Sequence, residues 1–238
     1  METPGTNREG RRHMDDMRHH ADETGRYERQ AAIAIPLVLV HAGTHGQAPA
    51  YSAASAFHHL VEDLEEAIGV YERMAAGAPS SFTRHSRSFF ASTLELSAED
   101  LSDEGAEVHT IAHTLTEMHA QSNMPIYALA ITPGPHTDEA ECALERVAAM
   151  CREHDIPWGG GLAFGEAELI TRCARQPRMG RMRRARSEHI DLLIAAIRSR
   201  CGMHSLPDAP SSGIVRVPRS VPRIVYPLVA WALMSTGA

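Results

Sequence analysis

Three groups of residues are spaced in a way that could support chemistry. His109, His113 and Glu117 recur at every fourth residue, which on a helix sets two imidazoles and a carboxylate along one face, a spacing that can hold a metal ion. No third strong ligand is predictable for them among 15 scattered histidines, so the pattern reads as a solvated polar face. The His58-His59 pair reads the same way. Arg172, Arg175, Arg178, Arg181, Arg183, Arg184 and Arg186 form the one dense basic stretch. Guanidiniums so grouped can approach the phosphates of a nucleotide cofactor, although a lone basic run is more often solvated surface. The third group is Gly43-Thr44-His45-Gly46-Gln47, a loop leading to a helix that opens near Ser52, where a phosphate could sit. No nucleophile elbow, Ser-His-Asp spacing or catalytic-cysteine setting stands out. All 23 basic residues are Arg, which removes Schiff-base chemistry at a Lys and the phosphate-gripping Lys of a P-loop.

Patterned elements must position these groups. Residues 1–30 are polar, lack apolar periodicity and read as a disordered tail ahead of one domain over 31–238. Ile33–Val40 is a continuous apolar run suited to a strand buried on both faces. A helix is predicted from Ser52 to Ile68, with Ala56, Leu60, Leu64 and Ala67 on one face. No strand pattern stands out over 69–87, and a short strand is predicted at Ser88–Ser92. Asp103–Met118 follows as a helix. Ile126–Ile131 is a strand ended by Thr132-Pro133-Gly134-Pro135. The helix after it runs to about His154 with Cys142, Val147, Met150 and Cys151 inward, and Trp158–Phe164 is the next strand. Helices over Arg181–Arg200 and Pro222–Met234 complete the chain. Alternating strands and helices predict an α/β fold with an open doubly wound parallel sheet, whose N-terminal half is reduced or irregular. Ligands of such sheets bind at the carboxyl ends of the strands, here the loops after Val40, Ser92, Ile131 and Phe164.

Bulk properties narrow the partners. A formal net charge of −7 over 238 residues gives no reason to expect nucleic acid. Cys142, Cys151, Cys173 and Cys201 contain no C-x-x-C pair, which fits idle thiols in a reducing cytosol. Ala31–Val40 follows Arg26 and Arg29 and precedes Ala48-Pro49-Ala50, so it has some features of a signal peptide. The residues before it are too many and too acidic for that role. Ile224–Met234 is far short of the ~20 residues that span a bilayer. The reading is cytoplasmic, with no membrane contact.

Pro125–Ala130, Gly134, the helix after it and the Trp158–Gly165 run resemble the second half of flavodoxin-like NAD(P)H-dependent FMN oxidoreductases. Pro222-Arg223-Ile224-Val225-Tyr226 is similar to a segment that ends many of those chains. The resemblance extends over about residues 85–235 and implies a flavodoxin-like fold. It also implies FMN as cofactor, NAD(P)H as electron donor, a small-molecule acceptor and a homodimer. By the same resemblance Gly43, Thr44, Gln47 and Ser52 would meet the FMN phosphate. Ser92 and Leu94 would lie at the ring, with Thr132 and Gly134 opposite. Glu95, Pro133, Pro135 and Glu166 depart from the family pattern and support an alternative: a non-catalytic relative that lost flavin and binds a partner or dimerises.

Overall fold

Two apolar runs organise the molecule. Pro36–His41 (β1) and Ile126–Ile131 (β3) are buried along nearly their whole length, and they pair with each other in parallel at the centre of a sheet. A strand whose two faces are both apolar needs a covering layer on each side, which helices supply. The computed structural model describes residues 34–43, 51–75, 89–90, 92–101, 107–174, 183–207, 209–220 and 222. The polar tail expected over 1–30 and the helix expected after Pro222 lie outside these residues.

The remaining elements are α1 (Tyr51–Ala75), β2 (Ser92–Ser97), α2 (Glu107–Ser122), α3 (Asp138–Glu153), β4 (Trp158–Phe164), α4 (Ala167–Arg172), α5 (Arg184–Ser199) and β5 (Ile214–Arg216). The strands form one all-parallel sheet in the order β2-β1-β3-β4-β5. This is the flavodoxin-like doubly wound arrangement. Alternation along the strands divides the core in two. Leu37, Leu39, Tyr127, Leu129 and Phe164 face α1, α4 and α5, while Val38, Val40, Ala128, Ala130 and Ala163 face α2 and α3.

Several boundaries differ from the sequence reading. The N-terminal half is not reduced, because its second strand is Ser92–Ser97 rather than Ser88–Ser92. Only Leu96 of that strand is buried, as befits the edge of the sheet, so it carries no continuous apolar signal. Helix α1 continues seven residues beyond Ile68, through Gly69 to Ala75. Strand β5 and helix α4 are too short to register as periodic runs. Cys142 is exposed on α3, whereas Val147, Met150 and Cys151 point inward as expected.

The glycines of β4 admit its neighbours. Gly159 has no partner in the register with β3, since Trp158 pairs with Ile126 and Gly160 with Tyr127. At this bulge Gly160 takes φ +109°, and a Cβ there would stand 2.7 Å from the Gly213 carbonyl oxygen. Beside it, the Tyr127 hydroxyl lies 3.2 Å from the Ala196 carbonyl oxygen and 3.1 Å from that of Cys201, tying the sheet to the end of α5. Gly160→Ala is expected to cost about 2 kcal/mol, from the strained backbone and the contact with Gly213, read as a lower urea midpoint at unchanged slope.

Candidate functional site

All five strands run the same way, so their carboxyl ends form one crest. The order of strand addition reverses between β1 and β3, where β1 leads to β2 on one side and β3 leads to β4 on the other. The crevice at such a switch point is the usual ligand site of this architecture. Two loops meet there. Strand β1 ends at His41, whose ring stands edge-on to Phe57 with centroids 4.7 Å apart, and the chain passes through Ala42 to Gly43. A Cβ on Gly43 would lie 2.8 Å from the Pro133 ring, so the first loop is seated against the third. Gly134 is different. Its chain neighbours aside, nothing lies within 4 Å of where its Cβ would stand, so that side of the residue is open, while its carbonyl oxygen accepts the Glu166 N–H at 2.7 Å.

Thr132 is buried, and its hydroxyl is engaged within its own surroundings. It lies within hydrogen-bond reach of the carbonyl oxygens of His136 and, at 3.3 Å, Phe164. That makes it a clamp on the Pro133–Pro135 turn. Ser92 and Leu94 do not reach the crest. Ser92 opens β2 opposite Pro36, and Leu94 pairs with Val38 in mid-strand, so the loop on the ligand side is the one after Ser97. Their expected place beside the flavin ring is corrected by the later start of β2. Glu95 likewise lies inside the strand, opposite Leu39. Thr44 and Gln47, and the side chain of Ser52, fall outside the described residues.

A second cluster lies where β4 and β5 end, and sequence spacing gave no sign of it. Glu166 follows β4 in the left-handed region, at φ +61°. Its side chain turns inward, leaving it only 3% exposed. Its Oε2 accepts the Ser220 N–H at 2.9 Å, while Oε1 has no partner among the described residues. Burial raises its pKa above the ordinary 4.5, against the opposing pull of the Ser220 hydrogen bond, Arg219 and Arg186. Arg219 in turn donates from Nε to the Pro135 carbonyl at 2.7 Å. The segment after β5 therefore straps the loop after β3.

The described arginines of the dense basic run separate into two populations, while Arg175, Arg178 and Arg181 lie outside the described residues. Arg172 and Arg184 form surface pairs with Glu168 and Glu188 one helical turn away. Arg183 and Arg186 turn inward. Arg183 pairs with Asp63 of α1 and donates from Nη1 to the Ala174 carbonyl at 2.7 Å, fastening α1 to the start of α5. His113 and Glu117 lie 3.7 Å apart on an exposed face of α2. No group of three metal-capable side chains occurs among the described residues. No helix among them is long and apolar enough to cross a membrane.

Two outcomes follow from these contacts. Asp63→Asn strands buried guanidinium charge and should lower stability by about 3 kcal/mol, measured by chemical denaturation. Glu166 has a raised folded-state pKa, so the stability it contributes is fully present below the pKa of the unfolded glutamate. That stability is lost as pH rises through the folded value. Glu166→Gln should therefore flatten the fall of stability on the alkaline side of pH 4.5, read from denaturation midpoints across pH. Against the geometry of these two clusters, comparison of the chain with known protein families, curated proteins and solved structures finds no match in any of the three.

Proposed function

We propose that the chain is a flavodoxin-like oxidoreductase that binds FMN at the crevice between β1 and β3 and passes electrons from NAD(P)H to a small acceptor. The observation that carries this reading is the meeting of the Gly43 and Thr132–Gly134 loops at the switch point of a β2-β1-β3-β4-β5 sheet. Open space at Gly134 suits a flat ring lying against backbone. Gly43, Thr44, Gln47 and Ser52 belong to the loop and helix start that would hold the phosphate. The isoalloxazine would supply the redox chemistry, and the protein's share is to bind it, orient it and limit water.

A second reading, a scaffold without cofactor that binds a partner protein or a second copy of itself, is favoured by three features of the same crevice. The Thr132 hydroxyl is engaged inside its own turn. Pro133 and Pro135 offer no N–H groups. Pro133 also occupies the space beside Gly43.

An absorbance spectrum of the purified protein, taken after incubation with FMN and desalting, separates the two. A retained flavin band is expected, and Gly134→Val, which fills the open space, should weaken FMN binding about tenfold, a loss of about 1.4 kcal/mol. A folded protein that retains no flavin at high added FMN would sink the oxidoreductase reading and leave the scaffold.

A further inference from the structure

The segment after β5 is fastened across the crest by contacts of unequal strength. Val217 is buried and donates its N–H to the Ala163 carbonyl at 2.9 Å, so the chain is anchored there. Pro218 follows, and a proline has no N–H to continue the ladder. Beyond it, Arg219 is held at the Pro135 carbonyl and Ser220 at Glu166 Oε2. Glu166 closes the circuit, because its own N–H donates to the Gly134 carbonyl at 2.7 Å. The turn that walls the β1–β3 crevice is thereby tied to residues 218–220 by Arg219 and by Glu166.

What lies beneath opposes this closure. The recess under residues 218–220, bounded by Phe164, Glu166 and Arg186, has room for about one water. Glu166 Oε1 and Arg186 Nε have essentially no accessible surface and no hydrogen-bond partner among the described residues, so that water does not reach them. A buried polar atom without a partner costs at least as much as one hydrogen bond returns. The two bonds from Arg219 and Ser220 are set against two such atoms, which brings the closed and open arrangements near balance. The proton on Glu166 tips it. A neutral carboxyl leaves one polar atom bare, whereas an ionised one leaves part of a full charge there. Arg186 and Arg219 favour the ionised form, but burial outweighs them and holds the carboxyl above its ordinary range. The other charged or titratable groups packed around the pair are Arg183, already joined to Asp63 of α1, Cys173 after α4, and His136 beside Arg219.

We propose that residues 218–220 are a latch that opens locally beyond Val217, and that loss of the Glu166 proton opens it. Opening hydrates the Glu166 carboxylate and the Arg186 guanidinium, and it frees the Pro135 carbonyl, so the turn that walls the crevice is released. Because burial raises the closed-state value, closure is strongest at acid pH and weakens as pH rises through that value. The latch works whatever the crevice binds and does not rest on flavin.

The test is native-state hydrogen exchange of the full chain, read by NMR at the Ser220 amide at about pH 5 and about pH 7.5 and corrected for the intrinsic pH dependence of exchange. Amides of β1 and β3 in the same samples report global unfolding. Ser220 is expected to exchange faster than those amides at both values, and its protection should fall with rising pH by up to about tenfold per unit. Glu166→Gln keeps an acceptor for the Ser220 N–H and cannot ionise, so in that variant the protection should not change with pH. Arg219→Ala removes the Pro135 contact made by an exposed side chain. It should lower Ser220 protection about fivefold at both pH values without altering β1 or β3, a readout that stands even if Glu166→Gln fails to fold. Ser220 as well protected as the central strands, or protection that does not vary with pH in the unsubstituted chain, would overturn the proposal and make the segment a fixed part of the fold.

Discussion

Burial of β1 and β3 on both faces is the constraint from which the rest of the molecule follows. Their backbones satisfy one another through the parallel ladder, but their side chains expose apolar surface above and below. Each buried aliphatic side chain is worth about 1.5–3 kcal/mol relative to an exposed one, so neither face can be left uncovered. Helices α1, α4 and α5 cover one face and α2 and α3 the other. Parallel strands with helices between them must all point the same way. The loops after the strands are thereby collected along one crest, whatever their individual sequences.

That crest carries two different kinds of ground. Between β1 and β3 it is made of backbone: Gly43 against Pro133, the buried Thr132 clamp, and Gly134 beside open space. Between β4 and β5 it is made of charge held inside the protein. Asp63 and Arg183 neutralise each other across two helices, and their value to the fold lies in mutual satisfaction rather than in net attraction. Arg186 and Glu166 lack that closure, and the strap from Val217 to Ser220 lies over them, anchored to both Glu166 and Pro135.

Much of the central architecture was legible in the chain. Ile126–Ile131 and Trp158–Phe164 were placed to the residue, because a continuous apolar run bounded by proline and glycine has few alternative readings. The edge was not. Ser92–Ser97 has one buried residue and Ile214–Arg216 is three residues long, and an edge strand needs only one neighbour and little apolar pattern. The later start of β2 puts Ser92 and Leu94 inside the strand rather than in the loop where the family resemblance expects them.

The sequence alone determined that the protein is α/β, that its sheet is parallel, and that Gly43 and Thr132–Gly134 stand at strand ends, because these properties depend on residue type and on spacing within about twenty residues. Tertiary structure alone decided which charges face inward. Arg183 and Arg184 are adjacent and chemically identical, yet one is buried against Asp63, 120 positions away in the chain, and the other lies on the surface beside Glu188. Likewise Glu166 meets Ser220 only because β4 and β5 lie side by side. Ion pairing and burial are set by distance in space, and local spacing carries no record of partners brought together by the closing of the sheet.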